Sequence, residues 1–564
     1  MKIIYTPNLP WGAEPPAISG EKDYLSLSGN NWDDFGYRTT LNARIFFDGE
    51  AIDLDFSIKM LIDDVEYTRE HLNNLCKEGW NGRFPIPDQK YVSVPTDIDF
   101  YKTIHSRLSS EEMSKFLALL GDAGYLVEVK KDKSSTRLTQ LDIFNTSLLR
   151  GSGSNKCFQD GWRILEHQDS SIRDFKFRLN TQSGGVCDIP FSFESDLLPY
   201  DINVLIGPNG IGKSYCLRSL VEYWLQIDKG APDQLSELGY DPFDHRPNIS
   251  RLILVSYSPF EEFSLGLKKK DKVLDTSAYR YFGFRKKLKN GRIGISRGLP
   301  KLNASESLLD AIYEDHKYQE ESWWINKFDT CLKVLKKAVG FDEIYLKLDS
   351  NQNLSALKKY IKDIKGSSYL ILDSSLPAIV FKQELIDCCD MQSGAYFIKN
   401  KKLCDLSSGQ LLFSYIVINV IGSIRENSLV VIDEPELFLH PTLEIEFLSL
   451  LKSVLKPFKS KAILATHSLS VVREVPSNCV HIFREGKDGF DVIPPPFETF
   501  GGSVQRISAY VFGDRSVSKP FDEWLEKQMA GGKQADTLID QLGEEINEEL
   551  MMRIHRISRR LNGS

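Results

Sequence analysis

The stretch Ile202-Asn-Val-Leu-Ile-Gly-Pro-Asn-Gly-Ile-Gly-Lys-Ser214 decides how the rest of the chain is read. An apolar run enters a glycine-rich turn, and a helical pattern follows from Tyr215 to about Ile227. Gly207, Gly212, Lys213 and Ser214 occupy the fixed places of the spacing G-x-x-x-x-G-K-[ST]. Successive backbone N–H groups of such a turn point inward and wrap phosphate oxygens, and the helix that follows adds positive potential at its N-terminus. Asn209 and Gly210 belong to the same cradle. Glycine serves where backbone passes too close to a phosphate for a Cβ, or takes φ > 0. The pattern predicts a bound nucleoside triphosphate, with Lys213 against its β- and γ-phosphates and the Ser214 hydroxyl on Mg²⁺.

Three further segments follow in order. Leu406-Ser-Ser-Gly-Gln410 precedes an apolar, helix-like run. Leu429-Val-Val-Ile-Asp-Glu-Pro435 reads as a buried parallel strand ending in two carboxylates. Asp433 is suited to hold Mg²⁺ and Glu434 to polarise an attacking water. Ala462-Ile-Leu-Ala-Thr-His-Ser468 is another strand, with His467 just past its C-terminal end, where ligands sit in open α/β sheets. Taken singly, the first reads equally well as a helix cap and the last as a structural histidine. Their common order behind a phosphate loop points to an NTPase.

The combination resembles the ATP-binding-cassette ATPases over about residues 172–510. In that family the L-S-G-G-Q signature of one subunit closes over the γ-phosphate held by another. The resemblance implies that Ser407 and Gly409 contact nucleotide across a homodimer or higher homo-oligomer, and that His467 senses the γ-phosphate. It implies hydrolysis of ATP to ADP and phosphate, either fast or as a slow, regulatory timer. Ser408 replaces a glycine of the signature. Asp433-Glu-Pro-Glu-Leu-Phe-Leu-His-Pro441 lacks the S-A-L-D of transporter cassettes and is similar to the soluble branch of OLD-, RecF- and SMC-type ATPases. His440 falls where the dimer-facing Asp of S-A-L-D usually sits. Two shorter stretches, Tyr257-Ser-Pro-Phe-Glu-Glu-Phe263 and Pro496-Phe-Glu-Thr-Phe-Gly-Gly502, are similar to the Septu-type defence ATPases, including the retron-associated form. Those act with a separate HNH nuclease subunit, which implies such a partner here, in antiphage defence. For the retron form, reverse transcriptase and retron RNA/DNA are implied as well. The other reading is a DNA-repair or recombination ATPase of RecF or SMC type acting directly on DNA.

The rest of the chain bounds these readings. Of 564 residues, 41% are hydrophobic and 26% charged, ordinary for globular domains. No apolar run approaches the ~18 residues of a membrane span, and the start shows no signal-peptide pattern, so a cytoplasmic protein without membrane contact is expected. The nine cysteines lack any C-x-x-C pair and read as reduced thiols. At net charge −8, nucleic acid needs a local basic surface. Lys268 to Lys301 supplies one: twelve Lys/Arg against Asp271 and Asp275, with Tyr279, Tyr281, Phe282 and Phe284 interleaved. The aromatics either stack on unpaired bases or belong to a buried β-edge.

The expected architecture is α/β: a head with a mixed-sheet core and a helical subdomain, a small α+β N-terminal appendage, and C-terminal helices. The appendage spans 1–160, with strands at Leu41–Phe47 and Ile52–Ile58, a helix at Ser110–Leu120 capped by Ser109 or Ser110, and a linker at Gly151–Ser154. The ATPase spans 161–510 with an insertion around 225–400. No heptads run through the insertion, and Ser305–Val339 and Leu357–Ile364 read as separate amphipathic helices. The tail, 511–564, carries an apolar stripe through Leu538, Ile539, Leu542, Ile546, Leu550, Ile554 and Ile557. It packs on the ATPase core or docks a partner.

Overall fold

Strand Ile202–Ile206 is buried along its whole length, and so is strand Ser428–Asp433. Continuous burial is what a parallel sheet covered on both faces requires, and it explains why these strands read as unbroken apolar runs. They belong to a seven-stranded sheet. Its order is Tyr279–Gly283, Arg251–Ser256, Ser428–Asp433, Lys461–Thr466, Ile202–Ile206, Val480–Gly486 and Gly489–Ile493. All neighbours are parallel except the last pair. The strand before His467 therefore lies between the strand feeding the phosphate loop and the strand bearing the carboxylates. Register places Ala465 beside Asp433 and Thr466 beside Ile206, so all three functional strand ends meet at one edge.

The structure is a computed structural model that describes all residues except 10–13, 34–35, 150–151, 166–170, 182–183, 266–277, 289, 320, 322–323, 350–354, 377–381, 439–440, 488, 513–519, 531–533, 544–545, 547 and 563–564. It divides into two compact units, Met1–Gly502 and Ser503–Ser564. His440 and the cluster Lys268, Lys269, Lys270 and Lys272 lie outside the described residues.

The first unit has the expected α/β architecture. Its helical layer consists of Leu299–Lys317, Lys327–Val339 and Ser408–Ser423, packed on one another. Helix Ser408–Ser423 is buried without interruption from Leu412 to Ser423, as its apolar composition on all sides demands. The insertion also holds an antiparallel five-stranded sheet, ordered Ile361–Ile364, Ser367–Leu372, Glu343–Lys347, Ala395–Lys399 and Lys402–Leu403. Leu357–Ile364 is thus corrected from a helix to a 3₁₀ turn running into a strand. The turn Lys365–Gly366, with φ of 50° and 78°, folds that strand onto Ser367–Leu372.

The appendage is a six-stranded sheet, parallel at Lys2–Thr6 with Tyr24–Gly29 and antiparallel thereafter. Helix Ser110–Leu120 begins as read: the Ser109 hydroxyl accepts from the Glu112 N–H, and the Glu112 carboxylate accepts from the Ser109 N–H. The second strand of the reading shifts, since Ile52–Asp55 is irregular and the strand is Ser57–Ile62. The linker at Gly151–Ser154 is also corrected, because Ser152 opens helix Ser152–Leu165. Burial decides this: Lys156 and Asp160 pair at 2.7 Å inside the molecule, and Lys156 also donates to Asn248 at 3.0 Å, in the loop before strand Arg251–Ser256.

A second junction is more heavily charged. Loop 424–427 connects the end of helix Ser408–Ser423 to strand Ser428–Asp433. Arg425 lies 3.0 Å from Asp97, and Lys102 lies 3.0 Å from Glu426 and 3.4 Å from Asp99. The cluster of carboxylates holds the Arg425 guanidinium well above its usual range despite burial.

The second unit consists of helices Val504–Val511, Pro520–Ala530, Ala535–Leu542 and Glu548–Asn562. Leu538, Ile554 and Ile557 of the stripe are buried together with Leu525 and Ala535 of the same unit. Within this unit the stripe packs against sibling helices, with Ile539, Leu542, Ile546 and Leu550 partly buried. Among the described residues no helix is long and apolar enough to cross a membrane. All nine cysteines are free, with Cys388 and Cys389 both buried.

Candidate functional site

The phosphate-loop pattern folds as its glycines dictate. Gly210 and Gly212 take φ of 75° and 112°, the left-handed region closed to most side chains. A Cβ on Gly207 would collide with the Phe483 carbonyl oxygen of the neighbouring strand, so that position is packed against the sheet. Helix Lys213–Leu225 starts directly from Gly212.

Lys213 turns back into the loop. Its ammonium donates to the carbonyls of Gly207 and Pro208, each at 3.1 Å, and lies 2.9 Å from His467 Nε2. Burial pushes its pKa down to about 8, against the pull of Glu434, Asp433 and Glu436. Ser214 donates its hydroxyl to Asp433 at 2.9 Å. Asp433 is 3% exposed, and burial pushes its carboxyl up to about 7, opposed by the Ser214 bond and reinforced by Glu434 and Glu261.

Glu434 adopts φ of 50°, a left-handed backbone on a side-chain-bearing residue. Such strain persists only where surroundings impose it. Here the Glu434 N–H is held by the Ala465 carbonyl at 2.9 Å. The bend aims Glu434 at His467, with Oε1 3.5 Å from Nε2, and the histidine holds the carboxyl below its usual range. One nitrogen cannot serve both neighbours in the same way. Unprotonated, Nε2 accepts from Lys213; protonated, it donates to Glu434. Glu436 accepts the His467 backbone N–H and so fixes the turn that carries the ring.

Lys213, Ser214, Asp433, Glu434 and His467 are therefore brought together, and Asn209, Gly210 and Gly212 form the loop around them. Ser407 and Gly409 are not part of this cluster's bonding. Ser407 caps helix Ser408–Ser423: its hydroxyl accepts from the Gln410 N–H at 3.3 Å, and its own N–H donates to Gln410 Oε1 at 3.1 Å. The aromatic segment resolves to a β-edge. Tyr279 and Phe282 are buried, and half-buried Tyr281 is tied through its hydroxyl to Glu261 at 2.5 Å.

Sequence reasoning missed the far wall of the site. A pocket of about 320 Å³ is lined by Ser214, Asp433 and Glu434 on one side and by Ser258, Phe260, Glu261, Glu262 and Phe263 on the other. Glu261 is buried and held by Arg285 at 2.8 Å and by the Phe263 N–H at 2.7 Å. The signal was present, since Tyr257–Phe263 follows a strand's C-terminal end as Glu434 and His467 do. Pro496–Gly502 has a structural task instead. Glu498 accepts from the backbone N–H groups of Ser477, Thr499 and Phe500, and the Gly501 N–H donates to the Arg473 carbonyl, bracing the helix that follows His467.

The donor set at Asp433 fits a hard cation. A carboxylate and a hydroxyl, both oxygen, suit Mg²⁺, and a cation would hold ionised a carboxyl that burial otherwise raises. Among the described residues no group of three or more His, Cys, Asp and Glu forms a separate metal cluster.

Residues 402–473, which contain Ser407, Gly409, Asp433, Glu434 and His467, match the family model described as AAA domain, putative AbiEii toxin, Type IV TA system. Over 559 residues, 95% of each chain, the protein is 25% identical to protein ea59 of Escherichia phage lambda. Among solved structures it is similar to an SMC head bound to the C-terminal winged-helix domain of ScpA, at 12% identity and a TM-score of 0.28, covering 58% of this chain and 97% of that one. A nucleotide-free ATP-binding cassette of an ABC transporter aligns at 13% identity and a TM-score of 0.27, covering 62% and 99%.

Proposed function

We propose that this chain is an ATP-binding and ATP-hydrolysing ATPase of cassette type that assembles around ATP and governs a separate effector. The observation that carries the reading is the convergence of Lys213, Ser214, Asp433, Glu434 and His467 at one edge of a parallel sheet. The loop amides and Lys213 bind the triphosphate, whose oxygens replace the carbonyls of Gly207 and Pro208 as partners of the ammonium. Ser214 and Asp433 would hold Mg²⁺, which would supply positive charge against the triphosphate. Glu434, ionised and strained toward the pocket, orients and deprotonates the attacking water. His467 senses the γ-phosphate by choosing between Lys213 and Glu434. Ser407 and Gly409 complete the site of a second copy of the chain, in a homodimer or larger assembly.

The effector we propose is an HNH-type nuclease in antiphage defence, with a retron's RNA/DNA and reverse transcriptase as further partners in the form associated with one. This rests on the likeness of Tyr257–Phe263 and Pro496–Gly502 to Septu-type ATPases. Direct action on DNA, in the manner of a repair ATPase, is the second reading, favoured by the unpaired cations described below.

Glu434→Gln tests the chemistry. The variant is expected to bind ATP while single-turnover hydrolysis falls by roughly 10²-fold or more. Lys213→Ala is expected to lose tight binding. Hydrolysis at the wild-type rate in Glu434→Gln would remove that residue from the base role.

A further inference from the structure

The segment Arg285–Arg297, Arg-Lys-Lys-Leu-Lys-Asn-Gly-Arg-Ile-Gly-Ile-Ser-Arg, holds six Lys/Arg and no acid in a chain of net charge −8. It folds as a two-stranded antiparallel ribbon, Arg285–Lys287 against Ile293–Ile295. The turn is closed by the Leu288 N–H on the Arg292 carbonyl at 2.7 Å. Lys286, Lys287, Arg292 and Arg297 are exposed. Among the described residues none of these four side chains has an ion-pair or hydrogen-bond partner. Ile293 and Ile295, 53% and 58% exposed, project from the same ribbon.

Unpaired cations on an exposed ribbon invite a polyanion, and the fold selects which kind. Of the aromatics that could stack on single-stranded bases, Tyr279, Tyr281 and Phe282 lie in the sheet edge and Phe284 packs on Tyr257. What remains is a ribbon of two strands ~5 Å apart, the element that a duplex major groove about 12 Å wide admits, with cations for phosphates and alkyl groups for the groove floor.

The base of the ribbon is fastened to the nucleotide pocket. Arg285 pairs with Glu261 at 2.8 Å, and the side chains are only 13% and 1% exposed. Phe284 packs edge-on against Tyr257 at 5.2 Å, and the Tyr279 hydroxyl donates to the Ser264 carbonyl at 2.7 Å. Segment 257–264, which forms the pocket's far wall, is therefore braced by the ribbon's root.

We infer that the ribbon Arg285–Ile295 docks on the phosphate backbone of duplex nucleic acid and that the Arg285–Glu261 pair passes its occupancy to the nucleotide pocket. The coupling rests on the ATPase reading; the docking does not.

The full-length protein is titrated into a fluorescent duplex of about 30 base pairs without nucleotide, at about 50 and 200 mM salt, and anisotropy is read. Four phosphate contacts predict an affinity loss of about a hundredfold across that range. The triple variant Lys286→Gln, Lys287→Gln, Arg292→Gln is expected to flatten the salt slope by about three and to leave basal ATP hydrolysis unchanged. Equal duplex binding by the triple variant, stronger binding of the unpaired strand, or capture by phosphatidylserine vesicles in place of duplex overturns the docking. For the coupling, duplex is expected to change wild-type hydrolysis, and Arg285→Gln to bind duplex without that change. A wild-type rate indifferent to duplex, or an Arg285→Gln response equal to wild type, overturns it. Absence of hydrolysis with duplex binding intact faults the ATPase reading alone.

Discussion

Replacing Asp433 with Asn is expected to stabilise the protein when neither metal nor nucleotide is present. The carboxyl is 3% exposed and raised from 3.8 to about 7. The cost follows from linkage. Below about pH 4 the group is protonated in both the folded and unfolded states and costs nothing. As pH rises from there to 7, the unfolded chain ionises while the folded carboxyl stays protonated, and wild-type stability declines. Above 7 both states are ionised and the full penalty stands, about 4 kcal/mol, because each tenfold change in proton affinity is worth ~1.4 kcal/mol. Asn keeps the carbonyl oxygen that accepts the Ser214 hydroxyl and removes the charge. In EDTA, the melting temperature of Asp433→Asn should exceed that of wild type by several degrees at about pH 7.5, and the gap should close toward pH 4. Adding Mg²⁺ and ATP should reverse the order, because only the carboxylate gains a cation. A variant less stable than wild type at about pH 7.5, or a gap that does not depend on pH, would refute the burial argument.

Mixing inactive Lys213→Ala chains with inactive Ser407→Arg chains should restore part of the hydrolysis, because each mixed pair holds one intact composite site; no recovery despite proven subunit exchange counts against shared sites. Arg425→Ala should cost about 3 kcal/mol in denaturant unfolding, since it takes the guanidinium from half-buried Asp97 and leaves buried Asp99 with Lys102 alone. Lys115→Ala, which breaks an exposed helix-surface pair with Glu111, should leave the transition where it is.

The parts of the site that were legible in sequence share one physical cause. Gly207–Ser214, Asp433–Glu434 and His467 each sit where a mostly apolar strand stops, and such strands announce themselves because both faces are covered. Strand order was not legible, since nothing local says that Lys461–Thr466 lies between the other two. Glu261 was missed because its importance comes from Arg285, 24 residues on, and from Asp433, farther still. Leu357–Ile364 misled for a different reason. Apolar residues at 357, 360, 361 and 364 fit a helical stripe, while the decisive signal was the Lys365–Gly366 turn just beyond. The Gly151–Ser154 stretch looked like a linker because composition does not record that Ser154 would be buried.

The ion pairs around loop 424–427 bear on how this gene can be dissected. A boundary near residue 160 suggests that an ATPase engine could be expressed alone from about Ile172. Such a fragment would strip Arg425 of both carboxylates and Glu426 of Lys102, in the short connector that leads directly into the strand bearing Asp433. It would also remove the Lys156 partner of Asn248. A truncated chain that fails to turn over ATP would then report a damaged connector and say nothing about what the first 160 residues recognise. Chimeras that exchange this region between relatives would need to carry residues 97–102 and 425–426 together.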